Sequence, residues 1–487
     1  MGTESFGDEV VRRHLVGLPD RVWCTQGRCW VGEPAVAVRP GCRSDLQGPW
    51  LSPPPGTAAA AVPFSYCSGM TGARQALTDA ERAVDGLLAD AHLAAPYQIA
   101  RLVARHAATL GADDALVYLV DLQQLLLVPF LDPAGPGVDR QVEPLGVDAT
   151  LPGRAFQHVE ILTQDAVDGR VRVWIPLLDG TERLGVLGVT VDAAAAPQIA
   201  EGPVGVRLRR FAGLVGELIM TKAMYGDTIV RLRRQSEMGL AAELQWSLLP
   251  PLTFACREVT IAAALEPAYE VAGDTVDYAV DPGSARVAVL DGMGHGLRSS
   301  QLATLAVAAY RNARRADRSL TDTAADIHRA LIEAFEGTAF ATAVLAELDT
   351  DSGVLSWVNA GHPQPLLLRA GKLVRSLQAR PMLPLGLVVN GRPDTAITVG
   401  REQLQPDDRV LLYTDGVTEA RAPTGAFFGE QALIDLLGRN FAAGLPAPET
   451  MRRVVHALLD HQQGQLTDDA TLLLLEWRNA NTDRLLP

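Results

Sequence analysis

Residues 286–296, which read RVAVLDGMGHG, constrain this chain more than any other stretch. The first residues are apolar and rich in valine, which is typical of a buried strand, and the strand ends in Asp291 among glycines. Glycine lets the chain turn sharply and lets a ligand approach the main chain, and residues 297–315 then have the Ala- and Leu-rich composition of a helix. Aspartate and glycine are also ordinary turn residues, so a plain connecting turn is the simpler explanation of this stretch by itself.

The length and charge of the chain narrow the classes of function. With 487 residues it is too long for one ordinary core, and we expect about three domains. The formal net charge of −14 argues against nucleic acid or an anionic membrane as the main partner, although a bound metal ion would still attract phosphorylated groups. No apolar run approaches the roughly 20 uncharged residues that a membrane helix needs, and no secretory signal opens the chain. We therefore expect a cytoplasmic protein.

The first 69 residues differ in composition from the rest. Residues 51–62 (LSPPPGTAAAAV) are too poor in large apolar side chains to build a core. This segment also holds four cysteines whose spacing lacks the C-x2-C pairs of a zinc site: Cys24, Cys29, Cys42 and Cys67. We predict that residues 1–69 are a disordered extension, and Met70 is an alternative start of the protein.

Residues 70–225 have the pattern of a small α+β domain. Thr78 and Glu81 fit a capping box that opens a helix, and Asp179-Gly180 is a strong hairpin signal between two apolar strands. The stretches GADDALVYLVD, TLPGRAFQ (150–157) and WIPLLDGTERLGVLGVTV resemble the GAF family of sensory domains over roughly residues 85–225. The resemblance implies a domain that binds a small molecule or dimerises, and no residue selects a ligand.

Residues 207–249 are predicted to form one long linker helix. Apolar residues recur there at three- and four-residue steps, and no proline interrupts them before Pro250. Such a helix joins two domains rigidly. A packed linker in a monomer and a coiled coil that forms a homodimer both remain open, because the apolar seam does not keep clean heptads.

Several aspartates border strongly apolar strands in the C-terminal half: Asp274, Asp291, Asp415, Asp468 and Asp469. Carboxylates placed close together repel one another unless a cation or a proton holds them. Because no Cys or His set accompanies these oxygen ligands, they favour two hard ions, Mn²⁺ or Mg²⁺. Such a pair produces hydroxide at neutral pH and stabilises the charge on a transferring phosphoryl group. The sequence therefore predicts hydrolysis of a phosphate ester, without the D-x-D-x-[TV] stretch of an aspartyl-phosphate route.

Seven stretches of this region resemble, in order, the SpoIIE-type branch of the PPM metal-dependent serine/threonine protein phosphatases. They read LQWSLLPP, PAYEVAGDTVDY, VLDGMGHG, FATAVLAELDTDSGVLSWVNAGHPQPLLLR, LPLGL, LLYTDGVTEA and DDATLLLL. The resemblance implies two packed antiparallel sheets flanked by helices. The expected protein is thus an α+β multidomain chain, with a GAF-like α/β sensor over residues 70–225, a linker helix over 207–249 and an α-β-β-α sandwich over 250–480.

The same resemblance implies roles for individual residues. Asp291 would bridge two metal ions, the Gly292 carbonyl would bind one of them, and Asp415 and Asp468 would hold the other. Asp274 would act directly or through a water, so the catalytic set is Asp274, Asp291 and Asp415. Asp469 is the alternative to Asp468 as a ligand. His295 and His362 are tempting acids, but their positions favour structural roles.

These features predict a bacterial phosphatase that hydrolyses phosphoserine or phosphothreonine in a regulatory protein, under control of the GAF-like domain. The resemblance implies an anti-sigma factor antagonist as the phosphorylated partner. A catalytically silent binding module of the same fold and a hydrolase of small phosphate metabolites are the rival hypotheses.

Overall fold

The computed structural model describes residues 22–25, 28–31, 78–133, 142–166, 169–266, 269, 273–380, 382–389, 392–393, 397–464, 466 and 468–478. The chain divides into two compact units, Met1–Arg74 and Gln75–Pro487. In the first unit, β1 (Val22–Thr25) and β2 (Arg28–Val31) pair in an antiparallel hairpin. The rest of the predicted extension 1–69, including Met70 as an alternative start, lies outside the described residues.

The first part of the second unit is an antiparallel sheet with helices on both faces. Its strands are ordered β5-β4-β3-β8-β7-β6. The helices are α1 (Asp79–Ala91), α2 (Ile99–Ala108), α3 (Leu151–His158) and α4 (Pro203–Ala223), and the strands are β3 (Asp113–Val120), β4 (Leu126–Phe130), β5 (Leu145–Gly146), β6 (Leu162–Asp165), β7 (Arg170–Asp179) and β8 (Glu182–Asp192).

Local sequence rules explain much of this part. Thr78 and Glu81 form the predicted capping box at the start of α1, and Gly180 takes a positive φ of 56° in the predicted β7–β8 hairpin. Alternate residues of β7 enter two different cores, because successive strand residues point to opposite faces. Ile175 packs in the core with α1, α2 and α4, while Trp174 packs with α3. The predicted α+β architecture is confirmed; the likeness to GAF domains stays a prediction.

The prediction of one continuous helix over residues 207–249 is wrong. Three shorter helices occupy this region: α4, α5 (Thr228–Leu232) and α6 (Leu240–Leu248). Between α5 and α6 the backbone finds partners outside any helix, since the Arg233 carbonyl accepts from the Leu122 N–H and the Gln235 N–H donates to the Tyr269 hydroxyl. Tertiary hydrogen bonds on both sides therefore override the helical periodicity. The break also removes the continuous helix on which the coiled-coil homodimer was predicted.

The remainder of the unit is built on two antiparallel sheets. One has the order β16-β15-β20-β21-β10-β9 and the other β11-β12-β13-β14-β19, and β17 pairs with β18. The strands are β9 (Thr253–Ala255), β10 (Val259–Glu266), β11 (Asp274–Asp281), β12 (Ser284–Gly292), β13 (Ala341–Asp349), β14 (Val354–Ala360), β15 (Leu366–Arg369), β16 (Lys372–Ser376), β17 (Val388–Val389), β18 (Arg392–Pro393), β19 (Gly400–Gln403), β20 (Arg409–Tyr413) and β21 (Ala470–Trp477), and the helices are α7 (Leu297–Arg315), α8 (Leu320–Phe335), α9 (Asp415–Thr418), α10 (Gly429–Ala442) and α11 (Ala447–His461).

The two sheets pack face to face with helices on their outer faces. Strand β21 shows why: every residue of it is buried. Leu473 and Leu475 lie in the core between the sheets, while Leu472 and Leu474 face the core under α10 and α11. On the other sheet, Leu290 of β12 packs against α7 and α8. The predicted α-β-β-α layering is thus present. It explains the apolar run of β21, because a strand that is covered on both faces has apolar side chains on both.

Among the residues that the structure describes, no helix combines the length and the apolar character that crossing a membrane would require.

Candidate active site

Two of the predicted aspartates face each other across neighbouring strands. Asp274 opens β11 and pairs directly with Asp291, next to the last residue of β12. Directly opposite residues of an antiparallel pair point to the same face, with Cβ atoms about 4.5–5.5 Å apart. The Asp274 side chain is almost wholly buried, at 1% relative exposure. The strand register therefore brings two carboxylates together at one end of this sheet.

The other sheet contributes its aspartates at the same end of the sandwich. Asp415 lies one residue beyond the end of β20. Asp468 and Asp469 directly precede β21, the strand that pairs with β20 in the sheet. Thr414 ties the two sheets together, because its hydroxyl donates to Asp274 Oδ2 at 2.7 Å and accepts from the Thr471 N–H at 3.0 Å. All the predicted site aspartates thus converge on one edge.

Asp468 and Asp469 make different contacts. Oδ2 of Asp469 accepts the N–H groups of Gly273 and Asp274, at 2.7 and 3.3 Å. Asp469 therefore holds the backbone that enters β11. The charge of Asp468 raises the pKa values of Asp291 and Asp415, while the charge of Asp469 raises those of Asp274 and Asp291.

Burial and mutual repulsion raise the pKa values of the clustered carboxyls. Burial, with the charges of Asp291 and Asp469, holds the pKa of Asp274 well above its ordinary value. Burial and the charges of Asp415 and Asp468 raise the pKa of Asp291 to about 7. The pKa of Asp415 is raised by burial and by Asp468. Carboxyls in this state take up a proton or a cation readily.

The donor set fits hard divalent cations. It consists of carboxylate and carbonyl oxygens, the ligands that Mg²⁺ and Mn²⁺ prefer. Within the described ranges, no three or more His, Cys, Asp or Glu side chains are already arranged around a metal position. The fit to divalent cations therefore rests on the chemistry of the donor atoms and on the raised pKa values of the carboxyls.

Gly292 lies in a close contact that sequence patterns did not reveal. Its N–H donates to the Gly273 carbonyl at 3.0 Å, and its own carbonyl accepts the Ser299 hydroxyl at 2.8 Å. A Cβ atom at Gly273 would lie only 2.5 Å from the Gly292 oxygen and 2.6 Å from Ser299 Oγ. Glycine at position 273 thus allows the start of β11 and the end of β12 to approach each other.

The two histidines differ in their surroundings. His295 is exposed in the turn after β12. His362 is buried, and burial lowers its pKa to about 3, so the ring is neutral. Its backbone N–H and carbonyl exchange hydrogen bonds with the Asn359 side chain, and the structural role of the ring stays a prediction. Nδ1 of His362 also lies 2.7 Å from the hydroxyl of Thr342, which donates to Asp291 at 3.4 Å.

Helix α6 supports the site from the linker side. The Gln245 side-chain amide donates to the main-chain carbonyl of Asp274 at 2.9 Å, and Gln245 is wholly buried. The LQWSLLPP stretch therefore contacts the site directly through Gln245. The sequence did not indicate a role for Gln245, Ser299 or Thr414. Each contacts the site through a single side-chain hydrogen bond, which leaves no pattern in the sequence.

Comparison with known proteins locates the similarity in this region. The family model of the stage II sporulation protein E (SpoIIE) matches residues 281–478. Protein IcfG of Synechocystis sp. is 31% identical over 140 residues, which are 29% of this chain and 21% of IcfG. Phosphoserine phosphatase RsbU of Bacillus subtilis is 25% identical over 242 residues, which are 50% of this chain and 70% of RsbU. The chain thus spans only about a fifth of the length of IcfG.

Among solved structures, the SiaA-PP2C domain of Pseudomonas aeruginosa aligns with 48% of this chain and 94% of its own, at 22% identity and a TM-score of 0.41. The family match covers β12, α7, β20 and β21 together with the aspartates at their ends. Residues 281–478 of this chain are therefore similar to the SpoIIE family, and about half of the chain is similar to a phosphoserine phosphatase.

Proposed function

We propose that the chain is a manganese- or magnesium-dependent protein phosphatase that hydrolyses phosphoserine or phosphothreonine in a regulatory protein. The observation that carries this proposal is the convergence of Asp274 and Asp291 from one sheet with Asp415 and Asp468 from the other, with raised pKa values. A set of carboxylates with no Cys or His beside it suits two hard ions and phosphoryl transfer.

The aspartates and the Gly292 carbonyl would divide metal binding and water activation among them. Asp291 would bridge the two ions, the Gly292 carbonyl would add a ligand to one, and Asp415 and Asp468 would hold the other. Bound metal ions would supply an acidified water and positive charge for the phosphoryl oxygens. Asp274 would orient that water or bind directly, while Asp469 keeps the Gly273–Asp274 backbone in place instead of serving as a ligand.

The proposed substrate is a phosphorylated protein of the anti-sigma factor antagonist type. Two observations support it: the SpoIIE family match, and the similarity to a protein named phosphoserine phosphatase RsbU. We place the reaction in the bacterial cytoplasm, and we propose that residues 70–225 act as a GAF-like sensor domain that controls it. A small-molecule ligand of that domain is part of the same proposal.

Manganese-dependent turnover of a phosphoserine peptide and of a phosphorylated antagonist protein tests the function. We expect Asp291→Ala and Asp415→Ala to abolish turnover, whereas Asp351→Ala, an exposed aspartate in the β13–β14 turn, should retain it. No turnover from folded protein with Mn²⁺ bound would favour a silent binding module. Faster turnover of small phosphate metabolites than of the phosphoprotein would instead favour the metabolite hydrolase.

A further inference from the structure

A buried ion pair joins the sensor region to the domain that carries the aspartates. Arg183 of β8 donates to Glu449 of α11 at 2.8 Å, and the two side chains are only 4% and 0% exposed. Arg183 also contacts the Gln124 side chain at 3.1 Å and lies over the Phe156 ring. Two fully desolvated charges 266 positions apart in sequence are therefore paired across the junction.

Arg452 of α11 extends this pair into a network. It binds Glu449 at 2.9 Å on its own helix, and it crosses the junction to the Asp148 carboxylate and to the Gln124 carbonyl. Although burial raises the pKa of Glu449, hydrogen bonds and charge from Arg452 and Arg183 bring it below its ordinary value. The network is thus charged and internally paired, which is the condition under which buried charges hold a specific geometry.

Further polar contacts join the sensor region to α11 and to the neighbouring strands β9 and β10. His456 of α11 lies 3.0 Å from the Gln123 carbonyl, and the Gln123 side chain donates to Glu266 at 3.4 Å. Glu182 accepts both the N–H and the hydroxyl of Thr253, at 2.9 and 2.6 Å. One surface of the sensor region, formed by residues 123–124, Asp148 and residues 182–183, therefore contacts α11, β9 and the end of β10. We call it the docking surface.

The docking surface adjoins the candidate metal ligands. Glu266 pairs in register with Ala470, the residue after Asp469. Helix α11 ends at His461, seven residues before Asp468. Of the elements that contact the docking surface, α11 thus precedes Asp468 in the chain, and β10 pairs with the first residue of β21.

We propose that the docking surface is a positive regulator of metal binding: contact of the sensor region with α11 and β10 raises the affinity of the aspartate cluster for its ions. Elements already fixed by docking do not have to be ordered when the ion binds, so the ion binds more tightly. Coupling is reciprocal, and metal ions must therefore also strengthen docking. The inference rests on the metal-binding part of the proposed function, and it does not require turnover.

Arg183→Met in the full chain separates docking from general loss of charge. Methionine keeps apolar volume over Phe156, and Glu449 keeps Arg452 and Arg453 as partners. The matched control is Arg170→Met, which removes an arginine paired with Asp113 within the sensor region. Asp148→Asn is a milder second variant, because Asp148 is largely exposed and Arg452 keeps Glu449.

Two measurements decide the proposal: hydrogen exchange of residues 447–461, and calorimetric Mn²⁺ affinity of the same proteins. We expect Arg183→Met to speed exchange in α11 and to weaken Mn²⁺ binding by about 5-fold or more, within the usual range of coupling between sites. Asp148→Asn should shift both in the same direction, and Arg170→Met should shift neither. Added Mn²⁺ should slow α11 exchange in the wild-type chain.

The proposal is overturned if α11 exchange rises while Mn²⁺ affinity is unchanged, or if either docking variant binds Mn²⁺ more tightly, which would make docking inhibitory. If Arg183→Met does not fold, the Asp148→Asn result decides by the same criteria. A chain that binds Mn²⁺ with this coupling but hydrolyses no phosphoprotein would refute the proposed function and leave the coupling intact.

Discussion

The hydroxyl of Thr414 offers the sharpest test of how the two sheets assemble the site. It is fully buried, donates to Asp274 Oδ2 at 2.7 Å and accepts the Thr471 N–H at 3.0 Å. Thr414→Val keeps the shape of the side chain and removes both hydrogen bonds. A buried N–H left without a partner costs about 1–3 kcal/mol, so we expect a loss of that size in the free energy of unfolding.

The larger consequence should appear in metal binding. Changes to groups that orient metal ligands weaken affinity by about 10–100-fold. For Thr414→Val this predicts a Mn²⁺ dissociation constant higher by the same factor, or about 1.4–2.8 kcal/mol. Thr414→Ser is the matched control, because it keeps the hydroxyl and loses one methyl group, at about 1 kcal/mol of stability.

Calorimetric Mn²⁺ titration and denaturation of the metal-free protein measure the two effects separately. Thr414→Val with wild-type Mn²⁺ affinity would refute the role of Thr414 in positioning Asp274. Equal loss of affinity in Thr414→Ser and Thr414→Val would show that side-chain volume, not the hydroxyl, matters at this position.

Two further predictions concern Asp291 and Gly273, at the edge of the sandwich where the aspartates meet. Because the pKa of Asp291 is raised from 3.8 to about 7, the folded protein holds this proton more tightly than the unfolded chain, and metal-free stability should fall as pH rises from about 4 to about 7. Asp291→Asn should reduce this fall, to which Asp274 and Asp415 also contribute, and should stabilise the metal-free protein at pH 8 by at most about 4 kcal/mol. Denaturation in a chelator measures both effects, and equal pH profiles would contradict the prediction. Gly273→Ala should weaken Mn²⁺ binding and destabilise the fold by about 1–3 kcal/mol, because the new Cβ would press on the Gly292 carbonyl. Gly213→Ala, in an open position of α4, is the control and should change stability by at most about 1 kcal/mol in the stabilising direction.

Local chemistry explains why much of the site was predictable. The strand that ends at Asp291, the strand before Asp415 and the strand after Asp469 are each marked by an apolar run with an abrupt polar end. The capping box at Thr78 and the hairpin at Gly180 follow from residues within a few positions of one another. Signals of this kind need no knowledge of the rest of the fold.

Other features depend on partners that are distant in the sequence. The linker was predicted as one helix because residues 207–249 keep an apolar periodicity, but Leu122 and Tyr269 bind the backbone at its break. The backbone contacts of Asp469 depend on the position of the Gly273 and Asp274 amides, nearly 200 residues earlier. The Arg183–Glu449 pair has no sequence pattern, since either residue alone resembles an ordinary surface charge.

The placement of Asp274 bears on the choice between an enzyme and a silent module. A carboxyl at 1% exposure, opposite another carboxyl, is costly to a strand that needs only to fold. The Thr414 hydroxyl holds a side-chain oxygen of Asp274, and Gln245 and Asp469 hold its backbone, so the arrangement keeps the two carboxyls together, where only a bound proton or cation relieves their repulsion. Asparagine at either position would remove the repulsion at little steric cost, and an interaction surface would lose nothing by that change. Retained repulsion of this kind is expected where the charges are neutralised by bound cations, which favours the metal-dependent phosphatase over the silent module.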